Sequence, residues 1–585
     1  MRLLTFLPCF ALQWIGADGL IFKKNAFLPP LLLTRPGGGL RRTAFWQYTG
    51  KAMIDDVTGF KTVPQRLDHS NSNDARMWRQ VYWLNSEYAE KHDGRDLVFL
   101  QVGGDSYESQ SSITDGDWQI VKWAQQFGAH IYRVEHRFFD KTNAMGVTGM
   151  EALAYLTVEQ AVEDVAFFAK SSLAVTHLVN PVWILFGDGY SGILASIARS
   201  LHPEIFTAAV VSSAPVHYKR AWPEFSYNMQ TILGNVSIQS SHSTCDKWMG
   251  GFFDNLLKFT DDPSFRKTLN TQLQISPPLP DGDVIPSQQR WHFFASVFSV
   301  FQAFNPLTYP TTFFTFADQF TVENLCRKMF EGSGTGSFPE LFNLYKWYIG
   351  DNYMDGKPSN FESWYENAVN NLKFSITKHI DDDLDQNMRW LWLSCNEVGM
   401  FPVTSTLPNS IWKTQIPIMY YEKLCDDVFT KALKKKNAPL SAADSSASNT
   451  VFVYGSLDPS RTLGRLTEDI SKNIVVVDIP GVGALADLFS SIKTEPASLA
   501  PARAKISNFI SGVFPWKSSA GSSTNAPVSP VTVPNPVVTL PNNPTVPYKT
   551  TTPRSGEHST KSSRANGFFQ FITLVLSVLF MGHKL

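Results

Sequence analysis

"LFGDGYSGIL" (185–194) closes the apolar run "PVWILFGD" (181–188), which reads as a buried strand, and it leads straight into "GILASIARSLH" (192–202), whose spacing predicts a helix. A strand that turns into a helix through closely spaced glycines lifts one side chain above the sheet edge. In a Gly-x-Ser-x-Gly elbow that side chain is a nucleophilic serine. Here the turn reads Gly187-Asp188-Gly189-Tyr190-Ser191-Gly192, so Gly189 stands where the nucleophile belongs. Ser191 is the nearest hydroxyl, but two further positions at about 100° per helical residue turn it away from that direction. It reads as a small residue that lets the helix pack closely. Asp188 adds an anion beside the turn.

Outward from the elbow, strand and helix signals alternate. "DLVFLQVGGD" (96–105), "AHIYRVEHR" (129–137) and "FTAAVVSSAPV" (206–216) read as strands. Thr157 and Gln160 form a Thr-x-x-Gln capping box, and Val158, Val162, Val165 and Ala169 then line one face of a helix. Such alternation predicts an α/β protein with a mostly parallel sheet and helices on both faces. From about 220 to 365 the rhythm gives way to aromatic stretches such as "WHFFASVFSVFQAF" (291–304), which predict an inserted helical cap. "EGSGTGS" (331–337) lies inside it and follows no strand, so it reads as a loop rather than a phosphate cradle. The earlier rhythm resumes after about 366 with "TVFVYGSLDP" (450–459) and "NIVVVDIPG" (473–481) as strands and "SLAPARAKISNFISGVF" (498–514) as a closing helix. Residues 61–219 and 366–515 are therefore read as two parts of one α/β domain around the cap at 220–365.

Both ends look like processing signals. Residues 1–17, "MRLLTFLPCFALQWIGA", have the positive start, apolar core and small final residue of a secretory signal peptide. Residues 18–60 carry no decisive pattern, and "RPGGGLRR" (36–42 with Arg35) reads as a flexible loop. Residues 516–566 form a Pro/Ser/Thr-rich stalk, read as O-glycosylated, and 567–585 a hydrophobic anchor signal. The uncharged run Phe568–Gly582 is 15 residues long, short of the roughly 20 that a spanning helix needs, which favours a glycolipid anchor. The expected place is the secretory pathway, ending at the cell surface or outside the cell, with a lysosome-like compartment as the alternative.

A net charge of -1 offers no field for nucleic acid, and "KALKKKN" (431–437) reads as a solvated helix end. Once Cys9 has left with the signal peptide, Cys245, Cys326, Cys395 and Cys425 remain, an even number suited to an oxidising compartment, with three connectivities open. Asn235 in "NVS" is an N-glycosylation acceptor. No spacing of metal-ligating residues occurs, so neither a metal nor a cofactor is expected.

A triad of the α/β-hydrolase order runs Ser, Asp, His, each following a strand. Asp458 in "YGSLDP" is placed for the acid, although an aspartate after a strand is often only a turn residue. The twelve histidines include none between His379 and His558. His558 lies in the stalk and His583 in the anchor signal, so no imidazole follows Asp458 within the folded domain.

The segments "QRLDHSN" (65–71), "VGGD" (102–105), "EHRFF" (135–139), "YLTVEQAVEDVAFF" (155–168), the elbow, "SSAPV" (212–216), "WLWLSCNEVG" (390–399), "YGSLDP" (454–459) and "PGVGALADL" (480–488) follow one another in a specific order. In that order the chain resembles the serine peptidase family that includes lysosomal Pro-X carboxypeptidase, dipeptidyl peptidase II and thymus-specific serine protease. The resemblance implies an α/β-hydrolase fold with a helical cap, exopeptidase activity at bonds following proline or small residues, and association as a homodimer. It also implies a Cys395–Cys425 bridge, with Cys245–Cys326 as the second pair. Asp458 matches the family's acid.

The departures fall on the other catalytic positions. The family's Gly-Gly-Ser-Tyr-Gly-Gly elbow sets its serine on Gly189. Its Gly-Ala-His-His-Leu-Asp-Leu stretch sets the histidine on Leu485, in a loop here one residue shorter. The tryptophan after the family's Leu-Asp-Pro is Ser460. What the resemblance leaves is a shaped pocket with oxyanion-type backbone amides at Tyr190 and Gly104. The expected function is a catalytically inactive homologue that binds a peptide or protein with a free terminus and reaches the membrane through its C-terminal anchor. The alternatives are a hydrolase with a non-standard nucleophile and a structural cell-surface adhesion protein.

Overall fold

The computed structural model describes residues 60–514 apart from 106–109, 140–148, 239–242, 283, 303–321, 331–336, 353–359, 378–381, 405–408, 430–446 and 490–494. The signal peptide, nearly all of 18–60, the stalk, the anchor signal and the "KALKKKN" run lie outside the described residues, as does most of "EGSGTGS". Among the described residues no helix is long and apolar enough to cross a membrane.

Among the described residues nine strands form one sheet: β1 Lys61–Arg66, β2 Met77–Asn85, β3 Lys91–His92, β4 Arg95–Gln101, β5 His130–Val134, β6 Val182–Asp188, β7 Phe206–Ser212, β8 Thr450–Gly455 and β9 Ile474–Ile479. Their order is β1-β2-β5-β4-β6-β7-β8-β9, with β3 folded back on β4. The pairs from β5 through β9 are all parallel, while β1, β2 and β3 pair antiparallel. Every residue of β6 is buried, as a central parallel strand requires. This mostly parallel sheet joined by helices is the α/β-hydrolase fold, as expected from the strand–helix rhythm.

The longer helices described along the first part of the sheet are α1 Gln119–Phe127, α2 Val158–Thr176 and α3 Gly189–Leu201. The capping box at α2 is half formed. Thr157 accepts the amide of Gln160 at 3.1 Å, but the Gln160 side chain donates to Asp68 Oδ1 at 2.7 Å and accepts from the amide of His69 at 2.9 Å. The "QRLDHSN" segment claims it because buried polar groups there need partners. Beneath it, Arg137 grips Asp164 with two bonds of 2.6 Å, and His69 Nε2 lies 2.8 Å from the same carboxylate. Both Arg137 and Asp164 are buried.

Between β7 and β8 the chain is mainly helical, from Pro223–Gly234 through Cys245–Asp261 and Ser287–Gln302 to Ile418–Phe429. Its core is aromatic, with Trp412 meeting Phe298, Phe253 and Phe301 at ring separations of 4.9, 5.2 and 6.0 Å. Burial of such rings is the main driving force for this part of the fold. Disulfides join Cys245 to Cys326 and Cys395 to Cys425, the pairing that the resemblance implied. Asn235, the glycosylation acceptor, is exposed at the C-terminal end of helix Pro223–Gly234. The closing helix, α4 Leu499–Val513, packs along β9.

Candidate active site

The elbow forms as the glycine spacing predicts, with the helix beginning three residues earlier than its apolar period. Asp188 caps α3 through a reciprocal box: its side chain accepts the Ser191 amide, and Ser191 Oγ accepts the Asp188 amide at 2.9 Å. Ser191 Oγ also donates to the Asp188 carbonyl at 2.9 Å. This hydroxyl therefore ties the turn from within and is buried, a structural role. A Cβ at Gly187 would stand 2.4 Å from the Ser191 carbonyl oxygen, and one at Gly192 would stand 2.8 Å from Ala214 Cβ, so strand and helix can meet only through glycine. Gly189 has φ +52°, the left-handed conformation in which a side chain would be displayed under strain. The display geometry persists with nothing to display. Gly189 and Tyr190 are the first residues of α3, so their amides have no intrahelical acceptor. Gly104, in the turn after β4, lies against the same helix, where an added Cβ would come 3.3 Å from Ser191 Cβ.

The position that the resemblance assigns to the acid is equally well formed. Asp458 follows β8 and is fully buried. The Ser460 amide donates to its Oδ1 at 2.8 Å, whereas Oδ2 has no hydrogen-bond partner. An imidazole N–H at the base position is the donor such an oxygen would take. Burial pushes the Asp458 carboxyl up to about 6, opposed by the nearby Ser213 hydroxyl and by Ser460 and reinforced by the charge of Asp487.

Where the base would stand, the loop after β9 supplies Leu485, with φ +61° and its amide donating to Ser213 Oγ at 2.9 Å. Two residues on, Asp487 turns inward. Ser212 Oγ donates to its Oδ2 at 2.5 Å, and burial pushes this carboxyl too up to about 6, with the Ser212 hydrogen bond and Arg503 opposing. The sequence assigns Asp487 no role, because the local pattern Leu485-Ala486-Asp487-Leu488 does not distinguish an inward aspartate from an exposed one.

One base does lie beside the elbow. Tyr190 is fully buried, and its hydroxyl stands 3.2 Å from His136 Nε2, with Trp390 packed edge-on at 5.3 Å. His136 Nδ1 lies 2.7 Å from the Arg137 carbonyl, so Nδ1 carries the proton and Nε2 accepts from the tyrosine. Burial pushes His136 down to about 4 and Tyr190 well above the usual phenol range. A neutral, buried pair with so poor an acid is a structural hydrogen bond rather than an activated nucleophile.

Residues 65–506 match the serine carboxypeptidase S28 family. The chain belongs to this family. A Caenorhabditis elegans protein named as a serine protease is 27% identical over 502 residues, covering 82% of this chain and 90% of that one. Mouse thymus-specific serine protease is 26% identical over 460 residues, 76% of this chain and 85% of its own. Bovine lysosomal Pro-X carboxypeptidase is 23% identical over 455 residues, 75% and 84% respectively. Among solved structures, a proline iminopeptidase of Mycobacterium smegmatis is similar at 9% identity and TM-score 0.30, over 77% of this chain and 98% of that one. The chain has the glycine-bounded elbow described above, and Asp458 stands at the position that the resemblance assigns to the acid. Gly189 and Leu485 occupy the positions that the resemblance assigns to nucleophile and base.

Proposed function

We propose that this S28 homologue is a non-catalytic binder of peptides or proteins with a free terminus, carried through the secretory pathway and held at the cell surface by its C-terminal anchor. The observation that supports it is the orphaned Oδ2 of buried Asp458, an acid kept in place while Gly189 offers no nucleophile and Leu485 no base. Acyl transfer needs a nucleophile within reach of a base and a third group orienting that base. Two of those three are missing. The N-terminal amides of α3 and the turn at Gly104 are the groups that would receive a peptide carboxylate or carbonyl.

An active hydrolase is the rival with a specific observation behind it, the 3.2 Å contact between Tyr190 and His136. It fails on access, since neither ring can meet a substrate without unpacking Trp390 and Phe139. The test is titration of the secreted ectodomain with proline-containing peptides whose termini are free or blocked, reading binding by calorimetry and peptide integrity by mass spectrometry. Saturable binding of a free-terminus peptide recovered intact is expected. Cleavage would overturn the reading, and absence of binding by every peptide would leave the adhesion alternative.

A further inference from the structure

β9 ends the sheet with Ile474-Val475-Val476-Val477-Asp478-Ile479, a run of β-branched residues carrying a single charge. Its inner side is taken by β8, in parallel register from Thr450↔Ile474 to Gly455↔Ile479. In such a pair alternate residues turn their N–H and C=O to the neighbour, and the rest turn theirs outward. In β9 the outward groups belong to Ile474, Val476 and Asp478. A bare edge of this composition is a template for another strand.

This edge is not bare. The Ile474 amide donates to the Asp469 carbonyl at 2.8 Å, and the Asp469 amide donates back to the Ile474 carbonyl at 3.1 Å, an antiparallel bridge one residue long. Beside it the Asp469 carboxylate caps the short 3-10 turn Ile470–Lys472, accepting the Ser471 and Lys472 amides at 3.0 and 3.3 Å. At Val476 side chains take over from main chain. Glu468 Oε1 accepts the Val476 amide at 3.2 Å, and Lys505 on α4 donates to the Val476 carbonyl at 2.8 Å. The two then close on each other at 2.8 Å. One acceptor and one donor are what a residue of a neighbouring strand would supply. At Asp478, the last outward position, the carboxylate holds Arg461 at 2.7 Å.

We infer that Glu468 and Lys505 form a plug that keeps two copies of this chain from pairing edge to edge through β9. The partner excluded is a second copy, because an edge that meets itself about a two-fold axis is self-complementary and pairs antiparallel. The surroundings favour that contact once the plug is out. Ile470 is 94% exposed and Leu466 44% exposed, both on the 464–473 segment beside the edge, so a second copy would also cover apolar surface. Both plug side chains are half exposed, and an ion pair so placed contributes little to stability. Its position on Val476 is explained by what it blocks. A homodimer formed through another face leaves this edge as it is.

Sedimentation of the whole ectodomain over a concentration series compares wild type with the double variant Glu468→Ala, Lys505→Ala, and denaturation midpoints check that the fold is kept. At the top of the series the double variant is expected to exceed the wild-type mass by about twofold or more and to return on dilution. Protection of its Val476 amide from hydrogen exchange should rise at least about tenfold over the same range. Each single variant opens half of the pair and should associate to a smaller extent, so the singles carry the same test if the double variant is unstable. Adding Val476→Pro removes the outward N–H without touching the bonds to β8 and should abolish the association, whereas a merely more apolar surface would keep it. Variants no more associated than wild type, association with no change at Val476, or association that survives Val476→Pro would each overturn the proposal.

Discussion

Gly189→Ser combined with Leu485→His is expected to hydrolyse a prolyl or alanyl exopeptidase substrate weakly, and Gly189→Ser alone not at all. In a serine protease, loss of serine or histidine alone costs about as much as loss of the whole triad, on the order of 10⁶ in turnover. Restoring one member therefore restores almost nothing. The serine would also enter a left-handed backbone at φ +52°, costing about 1–2 kcal/mol of stability. The second substitution has a receiver waiting, because Oδ2 of Asp458 lacks a donor. Its gain over the single variant should be on the order of 10². The yield stays low because the resemblance sets this loop one residue shorter than the family's, and a displacement of about 1 Å can cost roughly a hundredfold. The comparison is a set of turnover measurements on wild type, both singles and the double. Robust turnover by Gly189→Ser alone would reveal an unrecognised base, and loss of that turnover on adding His136→Phe would identify it.

A large loss of stability is expected from Asp164→Ala. Its carboxylate takes two bonds of 2.6 Å from Arg137, and Arg137 spends further donors on the Leu67 and Tyr155 carbonyls at 3.0 Å each. Removing the carboxylate leaves a buried guanidinium without its counter-ion, which costs about 3–5 kcal/mol. Much of a domain's net stability is of that size, so secretion should drop as well. Lys505–Glu468, at 2.8 Å with both side chains half exposed, is the control, and Glu468→Ala should cost about 0–1 kcal/mol. Chemical denaturation of the two variants settles the contrast, and equal losses would contradict this account of the network.

The fold could be read from periodicity because its strands are buried and its helices amphipathic. β6 and α3 lay within a few residues of where the apolar pattern set them. The helix start was misplaced by three residues because the Asp188–Ser191 box, a side-chain device, begins the helix before its apolar stripe does. The glycine spacing at Gly187 and Gly192 was legible as an elbow, while the close approaches that admit no other residue there come from the structure. The inward turn of Asp487 was not legible, because burial of a carboxyl depends on Ser212 and Arg503 from distant parts of the chain. The Tyr190–His136 contact spans 54 positions and gave no local signal. The full capping box at Thr157 was overruled for the same reason: Asp68 and His69, some 90 residues away, took the glutamine.

The central claim, a hydrolase fold whose elbow carries no activated nucleophile, is tested most directly by exposing the wild-type ectodomain to a fluorophosphonate probe and mapping adducts by mass spectrometry. The account predicts no adduct on the peptide containing residues 185–194 under conditions that fully label a catalytically active serine hydrolase. Stoichiometric labelling of Ser191 or Tyr190 that disappears in the His136→Phe variant would contradict it.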